Sequence, residues 1–168
     1  MILLSTQHGS HLYNLANEDS DTDTFTVIAD NPTVKGKYAR QRIHEVDGVV
    51  MDETVTDLST FVLYASKGVP QYLEAMWAPV EAVDVDVIHD MRFAFRPDYY
   101  KTQDIYQRTI KNFYEDGSFK KRRHAYRLVV NMLEFRRKGT FNPRLSDLDL
   151  ESVNEALRID INPLELLE

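Results

Sequence analysis

The chain has 168 residues, of which 43% are hydrophobic, 28% charged and none cysteine. That balance fits one globular domain and excludes a wholly disordered chain, disulfides, thiolate metal sites and cysteine nucleophiles. The formal charge of −7 hides a polarity, with 5 Lys/Arg against 15 Asp/Glu in 1–91, 14 against 5 in 92–144, and 1 against 7 in 145–168.

Ile2-Leu3-Leu4 reads as a short buried strand, broken by Gly9-Ser10. His11 to Asn17 is expected to form a short helix with Leu12, Leu15 and Ala16 on one side. Phe25 to Ala29 is β-branched and aromatic and predicts a strand, which Asn31-Pro32 ends. Tyr38 to Val46 and Val49 to Val55 predict two more strands around an Asp47-Gly48 turn. Asp57 caps a helix from Leu58 that Gly68 stops, and Pro70 opens a helix over Gln71 to Trp77 that Pro79 closes. Asp98 caps a helix reaching Asp116 and stopped by Gly117. A second long helix spans Phe119 to Lys138, with Ala125, Leu128, Val129 and Met132 as its apolar stripe. Ser146 or Asp147 caps a last helix containing Val153 and Leu157, and the tail begins at Asp160. The expected architecture is α+β: a small mixed sheet with flanking short helices over 1–90, and a helical region packed on it over 91–168. No uncharged stretch approaches the roughly 20 apolar residues of a membrane helix. No basic segment precedes Met1-Ile2-Leu3-Leu4, so no signal peptide is expected and a cytoplasmic location is.

The chemistry-bearing segment runs from Gly9 to Asp23. Gly9-Ser10 sits between a strand and a helix, where glycine admits a ligand close to the backbone and a helix start offers N–H groups to phosphate. Ten residues separate Ser10 from Asp21-Thr22-Asp23. Residues two apart on a strand share a face, so the two carboxylates project together and repel unless a cation lies between them. Hard oxygen ligands suit Mg²⁺ (or Mn²⁺), which binds through one or two carboxylates plus substrate phosphates. His11 can touch phosphate or simply lie on the surface. Lys35, Lys37, Arg40 and Arg42 are a small basic group; Lys37 and Arg40 are candidates for nucleotide phosphates, against a solvated strand face. His124, Arg127 and Asn131 share one helix face beside the apolar stripe, so His124 and Arg127 are candidates for the triphosphate, against ion pairs to the acidic half. Lys120 to Arg123 reads as a solvated helix start that can reach nucleic acid. Glu74 reads as a structural ion pair or cap, and Trp77 as core.

The run Gly-Ser-His-Leu-Tyr-Asn-Leu-Ala followed by Ser-Asp-Thr-Asp resembles the signature of the DNA polymerase beta superfamily of nucleotidyltransferases. It looks most like a branch of predicted bacterial and phage nucleotidyltransferases that includes those associated with RNA ligases. Phe61 to Ala78 and Lys121 to Arg144, with His124, Ala125, Arg127, Leu128, Gly139 and Asn142-Pro143-Arg144, are similar to later elements of that branch. Val69 and Asn14 depart from its pattern without touching the metal-ligand positions. The resemblance implies metal ligation by Asp21 and Asp23 and a third carboxylate on a later strand. Comparison of spacing with the branch favours Asp52, with Glu53 and Asp47 as alternatives. It further implies transfer of a nucleoside monophosphate from an NTP to an acceptor hydroxyl, with release of pyrophosphate. The acceptor is expected to be RNA, or a protein in an antitoxin-type modifier; a binding module without turnover is the other reading.

Overall fold

All five strands lie within the first 86 residues, with short helices between them, and the three longest helices follow. The computed structural model describes residues 1–30 and 38–168. The sheet consists of β1 (Ile2–His8), β2 (Thr22–Ile28), β3 (Ala39–Val46), β4 (Val49–Asp57) and β5 (Val83–Asp86), in the order β3-β4-β2-β1-β5. β2 and β4 run parallel; the other neighbours are antiparallel, so the sheet is mixed. The helices are α1 (Gly9–Tyr13), α2 (Leu58–Ser66), α3 (Pro70–Met76), α4 (His89–Ala94), α5 (Tyr99–Asp116), α6 (Phe119–Lys138) and α7 (Asp147–Ile159). Among the described residues no helix is long and apolar enough to cross a membrane.

Alternation decides which side of the sheet the helices cover. Leu4, Thr6 and His8 of β1 face Val27, Phe25 and Asp23 of β2, and these face Thr56, Thr54 and Asp52 of β4. Residues paired across a ladder share a face. Leu4, Thr6, Phe25, Val27 and Thr56 of that set are fully buried. Leu4, Phe25 and Val27 pack with Phe61, Leu73 and Met76 of α2 and α3 and with Ile110, Leu128 and Met132 of α5 and α6. The three residues at the far end of the same face are His8, Asp23 and Asp52. The periodicity that buries Phe25 and Val27 therefore also turns Asp23 toward the helices.

Several boundaries differ from the sequence expectations for local reasons. β1 continues to His8, and the chain turns at once into α1 because Gly9 takes φ +59°. α1 ends at Tyr13, as Asn14 adopts the left-handed conformation that closes helices. Leu12 and Leu15 are still buried, in a second cluster with Tyr126, Leu145 and Val153, whereas Ala16 is exposed. β5 and α4 were not expected from the sequence; four and six residues are too few to show a period. The helix caps follow the expected residues: Asp57, Asp98 and Ser146 each accept a backbone N–H, and Ser146 with Asp149 forms a reciprocal capping box. Trp77 packs against the core, edge-on to Phe141 at 4.9 Å.

Candidate active site

Gly9 is the residue on which the site is built. It carries positive φ, and a Cβ there would lie 1.7 Å from Oδ2 of Asp23. Only glycine leaves the Asp23 carboxylate its place. Register sets Asp23 directly beside Asp52, on parallel strands about 4.8 Å apart. Asp21 immediately precedes β2 and acts electrostatically on Asp23. Partial burial first, then the Asp52 and Asp21 charges, push the Asp23 carboxyl above its ordinary range; Lys120 and His11 pull the other way. Asp52 Oδ2 accepts a 2.7 Å hydrogen bond from Gln41 Nε2, while its Oδ1 is buried without a hydrogen-bond partner. Glu53 pairs with Thr24 and Arg42 and lies on the other face, and Asp47 sits in the hairpin turn. Of the three carboxylates considered, Asp52 is the one beside Asp23.

Opposite the carboxylates lies the first turn of α6. A cleft of about 300 Å³ is lined by Ser10, Asp19, Ser20, Asp21 and Asp23 on one side and by Phe119, Lys120, Arg123 and His124 on the other. Residues 120, 123 and 124 are neighbours on one helix face, three and four apart. Lys121 and Arg122 point elsewhere, to Asp116 at 2.7 Å and Asp160 at 3.0 Å. The basic run expected to be a solvated helix start is thus split, with Lys120 and Arg123 facing the acidic wall. Arg123 Nη1 also donates to the Leu15 carbonyl at 3.4 Å. Burial first, then Arg127, lower the His124 pKa to about 4. It is neutral at pH 7 and offers a ring nitrogen rather than a charge. Ser10 lines the cleft from within α1 and is not its cap, which is His8. His11 lies near enough to Asp23 to influence it, and its Nε2 is buried without a partner.

Other sequence candidates are placed away from the cleft. Arg127 is 3% exposed, its Nη1 donates to Glu74 Oε1 at 2.7 Å, and its guanidinium lies 3.6 Å from the Tyr13 ring centre. Of the two readings of Arg127, the structure places it in the ion pair to the acidic half: its charge is matched by Glu74, and it does not line the cleft of Asp21 and Asp23. Glu74 is the structural ion pair expected of it. Burial alone would raise its pKa, but Arg127 and His8, together with a 2.5 Å hydrogen bond from Tyr13, hold it below the ordinary value. This buried network ties β1, α1, α3 and α6 together behind Gly9-Ser10. Arg40 lies across from Val55, on the opposite face of the sheet from Gln41 and Asp52, so the structure does not bring it to the carboxylates. Arg42 shares that back face, across from Glu53. Lys35 and Lys37 lie outside the described residues.

The donor set suits a hard divalent cation: carboxylate oxygens only, one of them buried without a partner, and a glycine that makes room for another. Among the described residues no three His, Asp or Glu side chains form a ready-made metal cage. Mg²⁺ rarely needs one, because substrate phosphates and waters complete its shell. The mixed sheet carries the Gly-Ser and Asp-x-Asp pairs at one end, and the family-model match shows the chain to be a member of the DNA polymerase beta superfamily. More narrowly, the model of the RlaP family, described as the RNA repair pathway DNA polymerase beta family, matches residues 1–166, and the chain belongs to that family. No curated protein matches the chain.

Proposed function

We propose that the protein is a metal-dependent nucleotidyltransferase that moves a nucleoside monophosphate from an NTP to a hydroxyl of RNA. The observation that carries this reading is the contact between Gly9 and Asp23, which gathers the carboxylates opposite Lys120 and Arg123. Asp21, Asp23 and Asp52 are the residues that would hold Mg²⁺ or Mn²⁺, and the ion when bound neutralises phosphate charge and stabilises the attacking and leaving oxygens. Lys120 and Arg123 hold the β- and γ-phosphates by charge-assisted hydrogen bonds. Ser10 and neutral His124 donate further hydrogen bonds. The acceptor approaches from the Asp52 side, where Gln41 fixes one carboxylate oxygen and leaves the other without a partner. The acceptor oxygen bonds to the α-phosphorus, its proton passes to Asp52, and the α–β bridging bond breaks. Pyrophosphate leaves with that electron pair. Family membership supports RNA as the acceptor class.

The test is to incubate the protein with each α-labelled NTP, Mg²⁺ or Mn²⁺, and either RNA or whole lysate. Label is expected on RNA and absent with Asp21→Ala/Asp23→Ala. Transfer that survives in the double variant sinks the site assignment. Label on protein alone favours an antitoxin-type modifier, and no transfer with any NTP favours a binding module.

A further inference from the structure

A second cavity, of about 330 Å³, opens on the other side of His124 from the carboxylate cleft, and His124 lines both. Its character is different. Tyr13, Phe113, Val69 and Leu128 make its walls largely apolar, and Gln71 and Thr109 add a few polar groups. Tyr13 and Phe113 both meet the His124 ring edge-on, at 5.7 and 6.4 Å between ring centres. His8 and Arg127 border the cavity too, and His8 Nδ1 and Arg127 Nε are buried nitrogens with no hydrogen-bond partner. Apolar, aromatic walls with a small number of hydrogen-bonding groups fit a flat heterocycle that stacks on its faces and is read along its edge. Nothing in this cavity suits phosphate, since the one guanidinium present is already matched by Glu74.

The position of the cavity says which ring it takes. Asp52 on β4 and His8 on β1 flank Asp23 from opposite sides. The cavity touches His8 and Gly9, so it lies on the side of Asp23 away from Asp52. With the acceptor arriving at Asp52, the ring on the β1 side belongs to the nucleotide. We propose that this slot takes the base of the substrate NTP, so that one nucleotide straddles His124 with its phosphates in the carboxylate cleft. This rests on the triphosphate reading of that cleft. It makes Thr109, Phe113 and Gln71 determinants of base preference.

The test is calorimetric titration of the four NTPs and of inorganic tripolyphosphate, with Mg²⁺, into three proteins: wild type, Thr109→Trp and Lys120→Ala/Arg123→Ala. Filling the slot in Thr109→Trp is expected to weaken the preferred NTP at least tenfold and to leave tripolyphosphate unchanged. The latter result also shows that the variant is folded. Lys120→Ala/Arg123→Ala is expected to weaken both ligands. Free nucleosides, which carry no phosphate, are expected to shift the backbone amide resonances of Thr109 and Phe113 in wild type. The proposal is overturned if Thr109→Trp binds the NTPs as wild type does, or if it loses affinity only for an RNA 3′ end, which would give the slot to the acceptor. Failure of tripolyphosphate to bind wild type counts against the cleft assignment instead, and the nucleoside shifts then decide the slot independently.

Discussion

At the scale of single residues, the site depends on an atom that is not there. Gly9 has no Cβ, and the space a methyl group would fill is occupied by Oδ2 of Asp23. Gly9→Ala forces that carboxylate to rotate away and places alanine at a positive φ it rarely adopts. The clash is with the end of a side chain rather than with backbone, so the fold can absorb it more readily than the site can. The expected outcome is a loss of about 10²-fold or more in turnover, the scale for a group misplaced by an ångström. The stability cost is expected to be only about 1 kcal/mol. Steady-state kinetics beside thermal unfolding checks the pairing. Equal and large losses in both would make Gly9 a folding residue alone. The Gly-Ser and Asp-x-Asp pairs were legible in the sequence because the chemistry acts over a short span. What the sequence did not carry is that Gly9 and Asp23 touch across two antiparallel strands.

At the scale of elements, α6 is the part that joins the carboxylate-bearing edge to the core. Its residues 120, 123 and 124 line the cleft, 127 pairs with Glu74, and 128 and 132 enter the core. Its apolar stripe was legible from spacing, but spacing alone does not say how far the helix is rolled on the sheet. The sequence left Arg127 open between a triphosphate contact and an ion pair to the acidic half, and the structure places it in the ion pair. The roll is set by the buried pair: Arg127 is held on Glu74 and over Tyr13, which leaves Lys120 and Arg123 for the cleft. Glu74→Gln removes the charge that matches Arg127 in a fully buried setting. Breaking such a pair from one side costs about 3–5 kcal/mol. Urea unfolding is expected to show a loss of that order for Glu74→Gln. A smaller loss is expected for the paired apolar replacement Glu74→Leu/Arg127→Met, because no unmatched charge remains. A single variant as stable as wild type would mean that the pair does not hold the helix roll.

At the scale of the whole molecule, the charge polarity of the sequence resolves in part into local neutralisation. The 92–144 segment is strongly positive, yet on α5 and α6 Arg108, Lys111, Lys121 and Lys138 each meet a carboxylate close by in the chain, and Arg122 meets Asp160 of the acidic tail. Among the described residues of this segment Arg96, Lys120, Arg123, Arg136, Arg137 and Arg144 have no carboxylate partner within 4 Å, and of these only Lys120 and Arg123 line the cleft and face its acidic wall. At the cleft itself the uncompensated charge is that of Lys120 and Arg123, which suits one triphosphate or a few backbone phosphates. Affinity for single-stranded RNA falls with salt by about 0.7 in log–log slope for each phosphate neutralised. With two such contacts, RNA binding measured between low and physiological salt is expected to show a slope near −1.4. Lys120→Ala/Arg123→Ala should bring that slope close to zero. A slope steeper than about −4 that survives in the double variant would place the RNA contact elsewhere, on an extended basic surface. The distinction bears on function, because an enzyme that holds only the reacting end of its RNA recognises a terminus, whereas one with a long track recognises the strand.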